Sequence, residues 1–428
     1  MSLYLGELLK NNLMAGQPTR TKSAGDYVGT AIPPCGDFAK KTSSTPRPPW
    51  MQKISLEGIP QKKSLDEEIA LFVEYMTPTA QEIATRKDLV KRFSDLMGSF
   101  GVSATVRPVG SYVTGLYLPT SDIDMVLTFN DRFSIYSLGV YSKTSLYGIY
   151  SKIVASGFAS KVDNVLNASV PLIRVTDKIT GIEIDLTTAD THSVKATQTV
   201  ERWLQKDTEV VKMLILVVKI FLSIRKCGTT YTGGINSYVL VWMVVAWVKL
   251  EWPKMKKTPK VAADLSALAS AFGGLSMHAG SAPSSSTAAS SAVTQTQSAE
   301  IKTRDFGAAL KGFFKFYGRD FDYFGKAINI EPTPCYQTKI YPYSRYAITQ
   351  RYLLSIFDPA DPSIDMGEKA YAVKHVQASF QDAYRMLVDA ERPGFSVGPE
   401  GILGKVLGGD FTKFVEKRSK LTGPERRR

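Results

Sequence analysis

The sequence predicts an α+β chain in which a small mixed α/β unit precedes a larger, mainly helical one. Three observations carry this. Short strand-like runs are confined to roughly the second hundred residues. Long apolar segments with few helix breakers begin only after Thr188. The total of 428 residues exceeds what one compact core usually holds.

The elements follow in order. Residues 1–63 are rich in Pro, Thr, Lys and Gly, with "TSSTPRPPW" near their middle, and read as a loosely ordered tail. Order begins at "SLDEEIALFVEYM". Ser64 is placed to cap a helix, Glu67 three residues later completes a capping box, and Ile69, Phe72, Val73 and Met76 share one face. A second amphipathic helix carries Ile83, Leu89, Val90, Phe93 and Leu96 and stops at Gly101. Strand-like pieces come next: "SATVRPVG", "IDMVLTF", and "SVPLIRVTDKITGIEIDLTT", whose turn at Asp177–Gly181 makes a hairpin. The expected boundaries are a catalytic unit over 64–195 and a helical unit over 196–392. The helical unit contains a Ser/Ala/Thr-rich insert at about 260–301, and a basic tail follows over 393–428. The helix at Ser64–Met76 fits either unit. The segment "EPTPCYQTKIYPYSRY" reads as a Pro/Tyr-rich loop.

Composition narrows the function. A net charge of +13, from 53 Lys+Arg against 40 Asp+Glu, favours a polyanionic partner, most simply nucleic acid. Cys35, Cys227 and Cys335 have no disulfide or metal spacing, which speaks against a zinc site and for a reducing compartment. The two most apolar segments, one interrupted by Lys212 and Lys219 and the other short, read as core helices rather than membrane spans. No secretory signal is visible. Neither an aromatic RNA-binding motif nor a zinc knuckle appears.

The stretch "VGSYVTGLYLPTSDIDMVL" places Asp122 and Asp124 two apart in an apolar run. In a strand both side chains project to one face, where like charges repel and burial worsens the repulsion. A divalent cation removes the conflict, and hard carboxylate oxygens suit Mg²⁺ or Mn²⁺. In "GIEIDLTT" the alternation turns Ile182, Ile184 and Leu186 one way and Glu183 and Asp185 the other, so Asp185 can join the cluster if the two strands pair. Three such carboxylates can hold two metals for phosphoryl transfer. Gly110 and Ser111 would offer backbone N–H groups and a hydroxyl to a triphosphate. A solvated strand edge would explain a lone Asp-x-Asp equally well; the flanking Gly-Ser, spacer and second strand are what distinguish this one.

That combination resembles the nucleotidyltransferase signature of the DNA polymerase β-like superfamily. Within it, "GSYVTGLYLPTSDIDMVL" is similar to the TRAMP-type noncanonical poly(A) polymerases, which carry a PAP-associated domain. "LVVKIFLSIRKCGTTYTGGINSYVLVWMVVAWV", "FFKFYGRDFDYF" and "LLSIFDPADPSIDMGEKAYAVKHVQASFQDAY" resemble that family's helical motifs, and the resemblance covers about 64–390 without the insert. It implies a polymerase β-like nucleotidyltransferase domain and a PAP-type central domain. It further implies Asp122, Asp124 and Asp185 as catalytic metal ligands, with Asp185 activating the RNA 3′-hydroxyl. Gly110, Ser111 and Lys219 would meet the triphosphate; Ser237 and Tyr238 would meet the nucleotide, Tyr238 by stacking on the base; Asp358 would read the base.

Spaced by seven, Lys212, Lys219 and Lys226 would make one helical stripe, of which the outer two read as solvated. The chain departs from the family at Ile364, where uridylyl-selective relatives carry a histidine, and at Glu368, where relatives have arginine. The expected activity is template-independent addition of short oligo(A) tails to RNA 3′ ends from ATP in nuclear RNA surveillance. A terminal uridylyltransferase and an inert RNA-binding scaffold are the alternatives. A zinc-knuckle protein and an RNA helicase are the implied partners, the nucleus the implied location, and no membrane is involved. The basic stretches "KMKKTPK" and "EKRSKLTGPERRR" suit nuclear import or simple solvation.

Overall fold

The computed structural model describes residues 27–39, 47–52, 63–101, 104–129, 141–167, 170–188, 191–205, 209–256, 305–339 and 350–421. The low-complexity insert lies outside them.

The first unit is a five-stranded sheet, β1 (Ala104–Pro108), β2 (Ile123–Phe129), β3 (Ala159–Val165), β4 (Leu172–Asp177) and β5 (Glu183–Thr188), in the order β1-β2-β5-β4-β3. β2 and β5 run parallel and every other pair is antiparallel. The hairpin read at Asp177–Gly181 joins β4 to β5, its turn closed by the Gly181 N–H donating to the Asp177 carbonyl at 2.9 Å. Ile123, Met125, Leu127, Ile173, Val175, Ile184 and Leu186 share a core with Leu89, Phe93 and Met97 of the long helix Ala80–Ser99 and with Leu146, Ile149 and Ile153 of the helix Tyr141–Ala155. Full burial of each such side chain is worth about 1.5–3 kcal/mol.

In chain order the helices are α1 (Leu65–Met76), α2 (Ala80–Ser99), the single turn α3 (Ser111–Thr114), α4 (Tyr141–Ala155), α5 (Thr191–Leu204), α6 (Glu209–Ile224), α7 (Ser237–Leu250), α8 (Phe306–Lys315), α9 (Val373–Ala390), α10 (Gly401–Leu407) and α11 (Thr412–Leu421). α1 carries the expected capping box between Ser64 and Glu67, and Thr79 and Glu82 form a second one on α2. α6 and α7 form the centre of the larger core, apolar on nearly every face and packed against α1, α8 and α9. α8 runs into a π-helical turn, Phe316–Asp320, where a Cβ on Gly318 would lie 2.6 Å from the Gln381 amide nitrogen of α9; only glycine lets the two backbones approach so closely. Among the described residues no helix is long and apolar enough to cross a membrane.

Several expectations need correction. α1, which fits either unit by sequence, buries Ile69, Phe72 and Met76 in the helical core. The Pro/Tyr-rich loop contains strand β7 (Cys335–Thr338), paired antiparallel with β6 (Lys326–Asn329). The C-terminal tail folds through residue 421. α10 is capped by Glu68, which accepts from the Ile402 and Leu403 amides at 2.9 and 2.6 Å, and α11 sends Leu421 into the sheet core. Of the N-terminal tail, residues 27–39 lie along the helical unit, with the Cys35 amide donating to the Ile224 carbonyl at 2.9 Å, and Trp50 is buried against Phe72 and Phe411.

Candidate active site

β2 and β5 pair in a register that sets Asp124 directly opposite Asp185, with Asp122 at the mouth of β2. The parallel pairing follows from the two apolar faces: Ile123, Met125 and Leu127 on one strand and Ile184 and Leu186 on the other enter the same core, which turns Asp124 and Asp185 to the opposite face. Burial, followed by the charges of Asp122 and Asp185, pushes the Asp124 carboxyl up to about 7; Lys219 and Arg174 oppose the shift.

Gly110 turns the chain beneath this carboxylate. Its φ is 67°, and a Cβ there would lie 2.9 Å from Asp124 Oδ2. Its N–H donates to Thr197 Oγ1 at 2.9 Å, so this amide is engaged by α5 rather than held open. Ser111 opens the single turn α3 and lines a cavity of about 310 Å³ with Gly110, Asp124, Lys219, Ser237 and Tyr238. A second cavity, about 450 Å³, shares Lys219 and Ser237 and adds Asp122, Glu183 and, from α11, Lys417.

Lys219 is half-buried on α6, donates to the Leu116 carbonyl at 3.0 Å, and is pushed down to about 8 by burial, partly offset by Asp122 and Asp124. Lys212 is exposed, and Lys226 lies beyond the end of α6 with φ 57°, so the seven-residue stripe does not continue to it.

Tyr238, in the first turn of α7, lines the smaller cavity and donates its hydroxyl to Asp358 Oδ1 at 2.8 Å. Asp358 is 1% exposed and does not reach the cavity. Its oxygens also accept from the Ala360 amide at 2.7 Å and face His192 Nε2 at 2.7 Å. Asp365 braces the same loop through Ser355 Oγ and the Ile356 and Gly367 amides. Ile364 is 40% exposed and Glu368 is exposed.

Three participants escaped sequence reasoning. Arg174 on β4 grips Asp185 through two bonds of 2.8 and 2.7 Å, and its position opposite Asp185 is visible only once β4 and β5 are in register. Arg86 is buried on α2 and donates to the Pro119 and Ser121 carbonyls at 2.8 and 2.7 Å, pinning the turn that delivers Asp122. A signal existed, since Arg86 falls three and seven residues before Leu89 and Phe93 and so on their apolar stripe. His192 carried no periodic or motif signal.

The donor set fits a divalent cation. Hard carboxylate oxygens are concentrated beside a cavity, and the Asp124 carboxyl is raised first by burial and then by the charges of Asp122 and Asp185, both of which a bound cation would offset. Asp122 and Asp124 would hold the ion, with Asp185 the third donor. Among the described residues no three His, Cys, Asp or Glu side chains converge as a ready-made cage, and both Asp185 oxygens are taken by Arg174.

Comparison with known proteins agrees with this architecture. Residues 65–205 match the family model "Poly(A) RNA polymerase, mitochondrial-like, central palm domain", and residues 305–364 match "Cid1 family poly A polymerase". "Poly(A) RNA polymerase protein 1" of Eremothecium gossypii is 28% identical over 385 residues, covering 86% of this chain and 53% of that protein. "Poly(A) RNA polymerase protein 2" of Saccharomyces cerevisiae is 26% identical over 352 residues, covering 82% and 52%. The chain thus spans about half the length of these curated relatives. Trf4-2 of Drosophila melanogaster, named as inactive, is 27% identical over 366 residues, covering 83% of this chain and 77% of that protein. Among solved structures, the polymerase core of TRAMP, an RNA surveillance complex, superposes with a TM-score of 0.61 at 24% identity, covering 84% of this chain and 99% of that one. The Cid1 poly(U) polymerase gives 0.55 at 20%, covering 77% and 96%. Both family models match in sequence order, the first over the sheet that carries the paired aspartates, and across the matched residues the chain is similar to the noncanonical poly(A) RNA polymerases.

Proposed function

We propose that the chain is a template-independent RNA 3′-end adenylyltransferase that uses ATP and a divalent cation, Mg²⁺ or Mn²⁺. The observation that carries this reading is the register of Asp124 against Asp185, with Asp122 at the mouth of the same strand and Asp124 lining a cavity that Tyr238 also lines. The relatives' names support it, and one solved Cid1 structure is described as bound to MgATP.

In this reading the base of ATP enters the smaller cavity and stacks on Tyr238, an interaction worth on the order of 1–3 kcal/mol in nucleic-acid sites. Ser111, Lys219 and Ser237 receive the triphosphate, Lys219 as a point positive charge on the polyphosphate. The RNA 3′-oxygen bonds to the α-phosphorus as the bond to pyrophosphate breaks. Asp185 takes the hydroxyl proton, and Arg174 holds its carboxylate in place. The bound cations supply charge neutralisation for the attacking and leaving oxygens. Asp358 serves indirectly, through Tyr238, because its oxygens are already engaged. The likeness to the TRAMP polymerase core supports a role in RNA surveillance; nuclear residence, with a zinc-knuckle protein and a helicase as partners, belongs to this proposal.

Incubating the protein with labelled RNA and each nucleotide separately tests the reading. ATP should extend the primer with the highest kcat/KM, since Ile364 offers no hydrogen bond to uracil. Equal or better use of UTP would replace it with terminal uridylyl transfer. No extension with any nucleotide would replace it with an inert RNA-binding scaffold.

A further inference from the structure

One carboxylate gathers three separate parts of the chain beside the nucleotide cavity. Asp358, in the loop before α9, is almost completely buried. Its Oδ1 accepts the Tyr238 hydroxyl of α7 at 2.8 Å and the Ala360 amide at 2.7 Å; its Oδ2 faces His192 Nε2 of α5 at 2.7 Å. His192 is the member of this group that comes from the helix following the sheet. The other members belong to the helical unit across the cavity. Both His192 and Tyr238 line the cavity, whereas Asp358 does not. The two rings meet edge to face, 6.5 Å apart at 81°.

We infer that His192 is a positioning residue for nucleotide binding. By engaging Asp358 it fixes the carboxylate that fixes the Tyr238 hydroxyl, and so sets the plane of the ring on which a base stacks. The chemistry assigns the roles: a carboxylate is an acceptor, so Nε2 carries the hydrogen in this contact, as the tyrosine hydroxyl carries its own. A charge-assisted bond in a nearly dry site is directional enough to hold an aromatic ring that turns about only two torsions. The same bond ties the start of α5 to the loop before α9, so nucleotide affinity depends on one side chain outside both α7 and that loop. Asp358 does not line the cavity and so does not meet the base; the hub therefore tunes affinity for every nucleotide alike rather than choosing among them. The inference rests on the proposal that Tyr238 stacks the base.

The test is a binding titration with the fluorescent analogue mant-ATP, with steady-state kinetics alongside. His192→Ala should weaken binding about tenfold, the effect of one lost bond of this kind. It should raise KM for ATP and UTP in the same proportion and leave kcat within about twofold. His192→Gln, which keeps an N–H donor, should recover most of the loss. Tyr238→Phe keeps the stacking ring and loses only the hydroxyl; it should weaken binding similarly, and the double variant should be no worse than either single one, because both act through Asp358. A wild-type affinity in His192→Ala, additive losses in the double variant, no recovery with Gln, or a changed ATP:UTP ratio overturns the inference. If wild-type protein binds mant-ATP but extends no RNA, the transferase reading fails while the binding data still decide the role of His192. A melting temperature taken on each variant identifies a loss caused by unfolding, and the Gln variant and Tyr238→Phe then carry the decision.

Discussion

At the scale of single residues, the site carries negative charge that the protein itself leaves unbalanced. Asp124 lies opposite one carboxylate and near another, and burial with their repulsion moves its carboxyl to about 7. Asp124→Asn removes both the repulsion and a proposed metal ligand. Nucleotide transfer should fall by at least three orders of magnitude, while the melting temperature without divalent cation stays level or rises. Adding millimolar Mg²⁺ should raise the melting temperature of the wild type and not of the variant, because only a protein that binds the ion is stabilised by it. Equal stabilisation of both would remove Asp124 from the ligand set. Gly110 is the complementary case. Gly110→Ala forces a Cβ to 2.9 Å from Asp124 Oδ2 on a backbone with φ 67°, so it should cost about 1–3 kcal/mol in a denaturant titration and more than a hundredfold in transfer. Normal transfer by Gly110→Ala would show that the turn can relax without moving the carboxylate.

Among the elements, α11 joins the two units. Its Arg418 pairs with Glu82 of α2 at 2.6 Å, both side chains largely buried, and also donates to the Tyr75 carbonyl. Removing one partner strands the other, so Arg418→Ala should cost about 3–5 kcal/mol by chemical denaturation. Burial raises the Glu82 carboxyl, but bonds from Arg418 and Thr79 outweigh it and hold the group below its usual range. A depressed acid contributes stability above its unfolded pKa and loses it as pH falls through the folded one. Wild type should therefore weaken below about pH 4.5 more steeply than Arg418→Ala; parallel acid curves would deny the pairing. This helix also marks how far the sequence could be read. The capping box at Ser64, the β4–β5 hairpin and the alternation Ile182–Ile184–Leu186 are local patterns, and each stands in the structure as its spacing implied. "FTKFVEKRSKL" looked like a solvated tail because its charges outnumber its apolar residues; what orders it is tertiary, namely Phe414, Leu421 and one buried ion pair. β7 was hidden in the same way, since its four residues become a strand by pairing with β6. At the site, the aspartates were legible because Asp-x-Asp in an apolar run is a local anomaly. Arg174 and His192 were not, because each acts through a contact made across strands or between distant elements.

For the molecule as a whole, the cleft between the units sets the electrostatic problem. The chain carries +13 in total, yet the floor of the cleft is acidic at Asp122, Asp124 and Glu183, with Lys219 inside it and Lys417 of α11 at its edge. On the proposed function, RNA would be drawn by dispersed surface charge and presented to carboxylates that need a cation to tolerate phosphate. Binding of a single strand by the isolated protein should be sequence-tolerant and fall with salt at a log–log slope of about −0.7 for each phosphate neutralised. Two kinds of lysine should separate in that titration. Lys417 and Lys420 are exposed on α11, and replacing both by Gln leaves Arg418, Phe414 and Leu421 to hold the helix. The slope should become shallower by about 1.4, with the largest loss of affinity at low salt and little change in KM for ATP. Lys219→Gln should do the opposite: it should raise KM for ATP at every salt concentration and leave the RNA slope unchanged, because its half-buried ammonium faces the catalytic carboxylates rather than solvent. A slope that is unaffected by the α11 pair, or RNA affinity that is tight and nearly independent of salt, would mean that RNA is held by a specific site elsewhere on the chain.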